Sequence, residues 1–188
     1  GWIADLVDAP WWTRTLRMVG LVVLGFALWC GVAGPDDPGT NPVFGLVYVV
    51  LWVGLVPGSL LLGPVVKALS PLRTLHLGLS RMLPTSRRDG WWSLPGWVGR
   101  WPAAAGLVAF AWVELIAPGG TTLPVLAAWF AGYAVVVLAG AVLFGPTWFA
   151  RADPFEAYST LVAHLSPWSR DHRGRLEVLS PLHHLSRV

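Results

Sequence analysis

Cysteine is almost absent from this chain: Cys30 is the only one, which excludes an internal disulfide framework and a cysteine-based zinc site. Charged residues are scarce as well, since they make up 12% of the chain and hydrophobic residues 55%. The basic residues are twelve arginines and one lysine. The sequence contains neither a glycine-rich phosphate loop nor a His-Glu-x-x-His metal motif. So apolar a composition excludes an ordinary soluble domain and predicts an integral membrane protein.

Four apolar runs, at residues 18–33, 43–63, 103–117 and 125–145, account for most of this hydrophobicity. The second and fourth are 21 residues long, enough to cross a hydrocarbon core of about 30 Å. The first is shorter and needs flanking residues that reach out to the membrane surface. The second contains Pro57, which predicts a kink in that helix.

The chain also contains an internal repeat. In each copy an apolar run ends at Gly-Pro, and a capping residue followed by proline then starts an amphipathic segment that ends at a further proline. The matching residues lie 82 or 83 positions apart, and the pairs are Trp29/Trp112, Pro35/Pro118, Pro42/Pro124, Pro64/Pro146, Pro71/Pro154 and Pro84/Pro167. Two crossings per copy return the chain to its starting side, so the copies are expected to share one orientation.

These patterns predict an all-α integral membrane protein. Its four transmembrane helices form two parallel-repeat helical hairpins, each followed by an amphipathic interfacial helix. We expect an interfacial segment at 1–17, the first repeat at 18–84, a Trp-rich interfacial linker at 85–102, the second repeat at 103–167, and a cytoplasmic tail or the start of a further unit at 168–188. Because the chain begins at Gly1 and its last residues resemble the start of another unit, we expect a longer native protein.

The basic residues predict the orientation. All 13 lie before the first run, between the second and third, or after the fourth, whereas the two remaining loops contain none. By the positive-inside rule both termini and the amphipathic helices are cytoplasmic. The expected partners are anionic lipid headgroups at that face and other membrane protein subunits. Nothing in the charge pattern points to nucleic acid.

The two amphipathic segments are predicted to lie in the headgroup layer. Ser70 is a natural N-cap of the first, with Pro71 at its first helical position. Its apolar face is formed by Leu72, Leu75, Leu79, Met82 and Leu83, and its polar positions are Arg73, Thr74, His76, Ser80 and Arg81. The second has Phe155, Tyr158, Leu161, Val162 and Leu165 on one side, with Glu156, Ser159, Thr160 and His164 as polar positions.

Candidate catalytic residues are carboxylates. Glu114 is the only acid within an apolar run, and an intramembrane carboxylate suggests a proton relay, an ion ligand or a general base. Its place near the end of the run also fits a side chain that reaches the outer surface. Glu156 is the second candidate. Ser159, His164 and Glu156 have the residue types of a nucleophilic triad, but the five-residue spacing of Ser159 and His164 does not preform one.

Candidate metal ligands are His76, His164 and Asp153, with Glu156 and the pair His183 and His184 as further donors. The alternative interpretation is that both helical histidines lie at the surface against headgroups. Cofactors and catalytic roles stay open on this evidence. Structural roles are expected for Pro57, Pro64, Ser70, Pro71, Asp153 and Pro154, and for an ion pair between Arg73 and Glu156, which occupy equivalent positions of the two repeats with opposite charge.

Three segments of this sequence resemble a family of bacterial multi-pass membrane proteins often named fenitrothion hydrolase-like. They are GPDDPGTNP, LWVGLVPGSLLLGPVVKALSPLRTLHLGL and LFGPTWFARADPFEAYSTLVAHLSP. The resemblance covers roughly residues 14–185 and implies a bacterial plasma-membrane location, with further spans on both sides. The family name implies phosphotriester hydrolysis, but the resemblance supplies no catalytic residues, and the sequence shows no binuclear metal cluster.

Three functions follow as hypotheses. The first is a non-catalytic subunit or scaffold of a membrane complex, favoured by the scarcity of polar residues in the apolar runs. The second is a membrane-embedded, metal-dependent phosphotriester hydrolase. The third is a transport module that uses Glu114 and the kink at Pro57.

Overall fold

The computed structural model describes residues 7, 9–82, 90–170 and 176–178, and this part of the chain is almost entirely helical. The helices are α1 (Pro10–Ala33), α2 (Pro42–Leu62), α3 (Val65–Leu69), α4 (Pro71–Met82), α5 (Trp101–Leu115), α6 (Leu123–Phe144), α7 (Thr147–Ala152) and α8 (Pro154–Ala163). A 3₁₀ turn (Gly96–Val98) precedes α5, and two short strands, β1 (Trp168–Arg170) and β2 (Leu176–Val178), pair antiparallel after α8.

Three of these helices, α1, α2 and α6, are long and apolar enough to cross a membrane. Helix α1 begins at Pro10 and not at the predicted residue 18, so its 24 residues extend beyond the apolar run. Helix α5, which covers the predicted third span, has only 15 residues, or about 22 Å of rise. The described structure therefore contains three candidate spans, which is compatible with the membrane protein that the composition predicts.

Helix α2 contains an irregular stretch that the sequence pattern does not predict. Its middle, Gly45–Val53, is π-helical, and Pro57 lies in the α-helical part that follows. The Gly54 N–H donates to the Val49 carbonyl, a bond that spans five residues instead of four. Because Pro57 has no N–H, the carbonyl four residues before it has no partner in a regular α-helix, and wider turns next to it are a known accommodation.

In both halves of the chain the long helix ends just before the predicted Gly-Pro pair. Gly63 and Gly145 have φ of 80° and 74°, a left-handed conformation that glycine adopts without a steric penalty. Each break is followed by a short helix (α3 or α7), then by a capping residue and the predicted first proline of α4 or α8. The order of elements is thus the same in the two halves.

Hydrogen bonds between loops and neighbouring helices show which helix ends lie together. The Leu123 N–H donates to Asp36 Oδ1 at 2.6 Å, and the Tyr48 hydroxyl donates to the Gly120 carbonyl at 3.3 Å. The loop after α1 and the loop after α5 therefore share one end of the molecule. At the other end the Arg151 side chain donates to the Pro95 carbonyl at 3.3 Å, which joins the segment before α5 to α7.

The core is aromatic and centres on Phe110 of α5, which is 1% exposed. Its ring contacts Trp52 on α2, Trp129 on α6 and Phe155 on α8, with centroids 4.9–5.4 Å apart. Such edge and tilted contacts stabilise packing beyond area burial alone. Helix α5 therefore packs against α2, α6 and α8 through this one ring.

The two amphipathic helices do not lie as predicted. Their polar positions face the protein: His76 and Ser80 of α4 are buried, as are Glu156 and Ser159 of α8. On α4 the apolar residues Leu75, Leu79 and Met82 are exposed instead, and the first half of α8 is buried on all sides. The first half of α8 therefore packs inside the protein, where its polar side chains have protein partners, and does not expose a polar face as predicted.

Candidate functional site

A cluster of buried and half-buried polar side chains joins the two halves of the chain, and we call it the polar junction. Its members are Ser59, Arg73, Tyr133, Asp153, Glu156 and Ser159. Arg73 on α4 and Glu156 on α8 form its centre: Arg73 Nη2 donates to Glu156 Oε1 at 2.6 Å and Arg73 Nε donates to Oε2 at 2.5 Å. Two parallel charge-assisted bonds of this kind fix both position and orientation. The structure thus joins the two residues that the repeat alignment pairs.

The guanidinium of Arg73 has a second partner in Phe149 on α7. Its Cζ lies 4.7 Å from the centroid of that ring, within the range of a cation–π interaction. His76, one turn further along α4, packs edge-on against the same ring with centroids 5.5 Å apart. Helices α4, α7 and α8 are therefore tied together at the polar junction.

His76 is buried, which corrects the interpretation of it as a surface histidine. Its Nε2 lies 3.1 Å from the Ala141 carbonyl of α6. Burial is the largest cause that lowers the pKa of His76; the bond to Ala141 opposes it, and the charge of Arg73 lowers the pKa further. The ring is therefore neutral at pH 7 and donates its Nε2 proton to the carbonyl, a structural arrangement.

Asp153 is the N-cap of α8. Its Oδ1 accepts from the Phe155 and Glu156 N–H groups at 3.0 and 3.1 Å, as an N-cap requires. Burial raises the pKa of Asp153 from 3.8 to about 6, and the charge of Glu156 also raises it. The N–H groups of Glu156 and Phe155 and the neighbouring Tyr133 hydroxyl act in the opposite direction.

This pKa predicts how stability depends on pH. A carboxyl group whose pKa is raised by folding stabilises the fold below its unfolded value, and that contribution is lost as pH rises from 3.8 through about 6. Replacing Asp153 by Asn should remove about 2–3 kcal/mol of this pH dependence. Denaturant unfolding at a series of pH values measures it.

Asp153→Ala serves as the comparison. It also removes the pH dependence, but it loses the cap and about 1 kcal/mol more at every pH, whereas Asn retains the cap. If Asp153→Asn and the unaltered protein showed the same pH profile between 3.8 and 6, Asp153 would not be the group that titrates.

A second contact across the halves joins Ser59 of α2 to Ser159 of α8. Their hydroxyl oxygens share a hydrogen bond of 2.7 Å, and both side chains are fully buried. The Val66 N–H also donates to Ser159 Oγ at 3.4 Å. Ser159 therefore links α8 to α2 and to the first turn of α3. None of its described hydrogen bonds is to His164 or Glu156, so the structure does not assemble those three as a triad.

The other candidates lie apart from the polar junction. Glu114 is half-buried in the last turn of α5, near the Tyr48 hydroxyl. His164 is the C-cap of α8 and half-buried. Within the residues that the structure describes, no three His, Cys, Asp or Glu side chains are grouped so that they could hold a metal ion. His183 and His184 lie outside the described residues.

Pro64 and Pro154 occupy their predicted places, Pro64 directly after the Gly63 break and Pro154 as the first residue of α8. The Arg73 N–H donates to Ser70 Oγ at 3.3 Å, which is the capping bond expected before Pro71. The sequence analysis did not single out Tyr133 and Ser59. Their one distinguishing feature in the sequence is that each is a polar residue within an apolar run.

Most polar side chains of the polar junction have a hydrogen-bond partner within the protein. Glu156 accepts two bonds from Arg73, Asp153 accepts two backbone N–H groups, and each serine hydroxyl has the other as partner. Side chains with such partners hold the helices in register. Comparison with protein-family models, with curated proteins and with solved structures gave no match.

Proposed function

We propose that this protein is a non-catalytic subunit or scaffold of a membrane complex. The observation that carries the proposal is where the polar and the apolar side chains lie. The polar side chains of the polar junction are turned inward and paired, while α1 presents an exposed apolar stripe to its surroundings. Val22, Phe26 and Trp29 form that stripe at helical spacing and are 67%, 49% and 70% exposed. A face of this kind packs against lipid or against the helices of a partner.

We further propose four crossings in two hairpins of the same orientation. Support comes from α5, whose Trp101 end follows the segment bonded to Arg151 and whose Leu115 end leads to the loop that contacts Tyr48. Helix α5 thus runs between the same two ends as α2 and α6. A 15-residue helix is short for a bilayer, but local thinning and tryptophans at its ends accommodate such a mismatch. On this arrangement the basic residues face the cytoplasm of a bacterium.

Photo-crosslinking tests the scaffold role. A photoreactive residue at Val22, Phe26 or Trp29 of the full-length protein in its native membrane should give one discrete protein adduct. The same residue at Cys30, which is buried on the same helix, is the matched control and should give none. Adducts to lipid alone from every position of the stripe would contradict the proposal.

The hydrolase suggested by the family resemblance makes the opposite prediction. Purified protein would contain stoichiometric metal and turn over a nitrophenyl phosphotriester, and His164→Ala would abolish turnover while leaving the fold intact, since the side chain is only half-buried. That result would overturn the scaffold assignment. Ion flux that depends on Glu114 would overturn it in favour of transport.

A further inference from the structure

We propose that a cavity between α1, α3 and α4 binds the phosphate of an anionic phospholipid headgroup. The cavity has a volume of about 120 Å³, and Arg17, Lys67, Ser70, Arg73, Thr74 and His76 contribute to its lining. It lies at the end of the molecule that carries the basic residues. The proposal rests on the membrane placement described above and adds a defined lipid site to it.

The charges around this cavity are unbalanced. Arg73 is neutralised by Glu156, and His76 is neutral, but Arg17 and Lys67 form no ion pair within the described residues. Two cations from different helices therefore face one small space without a counter-ion. Arg17 is half-buried and Lys67 is exposed, so an anion can reach both side chains and relieve their mutual repulsion.

The size and lining suit a phosphate group. An apolar cavity of about 150 Å³ holds a benzene molecule, so this volume accommodates a compact tetrahedral anion. Arg17 supplies a planar fork of donors and Lys67 a mobile ammonium group, the two side chains most used for phosphate. The Ser70 hydroxyl, which accepts from the Arg73 N–H, retains a proton that it can donate.

The surroundings favour a lipid over free phosphate. The apolar run of α1 starts directly after Arg17, and Met18 and Val22 are 58% and 67% exposed. Leu77, at the rim of the cavity on α4, is exposed as well. A headgroup in the cavity would therefore have its acyl chains against apolar side chains, at the depth where basic pockets between helices bind anionic lipids.

Lys67 is the only lysine of the chain, and this makes the site directly measurable. The full-length protein is reconstituted in vesicles of phosphatidylcholine alone or of equal parts phosphatidylcholine and phosphatidylglycerol. An amine-reactive ester then labels the protein, and mass spectrometry of the peptide that contains Lys67 follows the rate at this residue separately from that of any other amine. We expect phosphatidylglycerol to slow acylation roughly fivefold, the factor that corresponds to about 1 kcal/mol per basic residue.

A pair of variants separates a site from a general surface potential. Arg17→Gln should lose the protection, whereas Arg14→Gln, one turn earlier on α1, exposed and not part of the cavity lining, should keep it. Equal protection in both variants, or no protection in the unaltered protein, would overturn the proposal. Equal protection by inorganic phosphate in phosphatidylcholine vesicles would overturn the lipid assignment. Resistance to alkaline extraction tests membrane insertion separately, so a failed site is distinguishable from a failed membrane placement.

Discussion

Replacing Glu156 by Gln is expected to lower the free energy of unfolding by about 3 kcal/mol. The change keeps the shape of the side chain but leaves the Arg73 guanidinium without its counter-ion. Removing one partner of a buried pair destabilises more than the pair itself stabilises, because an uncompensated charge remains in the protein. The value lies at the low end of the usual range because 20% of the Arg73 side chain is still accessible.

Reversible unfolding by sodium dodecyl sulfate in mild detergent, followed by tryptophan fluorescence, measures this loss. The double variant Arg73→Met, Glu156→Leu removes both charges and should recover most of the stability. Arg14→Gln is the control for loss of an exposed arginine outside the polar junction and should change little. A double variant as unstable as Glu156→Gln would show that the ion pair is not what makes the single change costly.

Replacing Phe110 by Ala is expected to cost about 3–5 kcal/mol. Its ring is the common neighbour of Trp52, Trp129 and Phe155, so truncation leaves a cavity that four helices would have to close together. Because the unfolded chain in a membrane keeps this side chain in an apolar medium, the transfer part of the cost is small and the lost packing remains, which places the expected loss at the low end of this range.

Two further variants, measured under the same unfolding conditions, serve as comparisons for Phe110→Ala. Phe110→Leu retains most of the volume and should lose less than about 1.5 kcal/mol. Trp112→Ala removes a larger side chain from the same helix, but one that is 51% exposed, and should cost far less than Phe110→Ala. If Trp112→Ala lowered the free energy of unfolding as much as Phe110→Ala, the face of α5 that carries Phe110 would not be the one packed in the core.

Much of the local structure is readable from the sequence. Gly63 and Gly145 break the chain where Gly-Pro predicts it, and Asp153 caps α8 as an acid before proline should. These features depend on a few adjacent residues, so short-range chemistry decides them. The Arg73–Glu156 pair is readable for a different reason: the repeat places two opposite charges at equivalent positions.

Other features depend on which side of a helix meets the protein, and hydrophobic periodicity does not settle this in a membrane. Lipid and protein interior are equally apolar, so the pattern of α4 is compatible with either orientation. The structure buries His76 and exposes Met82 because the polar positions find partners on α6, α7 and α8. Ser59 and Tyr133 could not be assigned for the same reason, since their partners lie far away in the sequence. The π-helical turns of α2 likewise depend on packing that a sequence does not display.

The sorting of every basic residue to one side of the membrane by two hairpins is the central claim, and cysteine accessibility at Thr121 tests it most directly. In a Cys30→Ser background, single cysteines at Pro38, Thr121 and Ala150, all exposed in the structure, are treated with a membrane-impermeant maleimide on intact cells. The account predicts that Pro38→Cys and Thr121→Cys are labelled, and that Ala150→Cys is labelled only after the cells are permeabilised. Protection of Thr121→Cys on intact cells, with Pro38→Cys labelled, would show that α5 does not cross and would contradict the account.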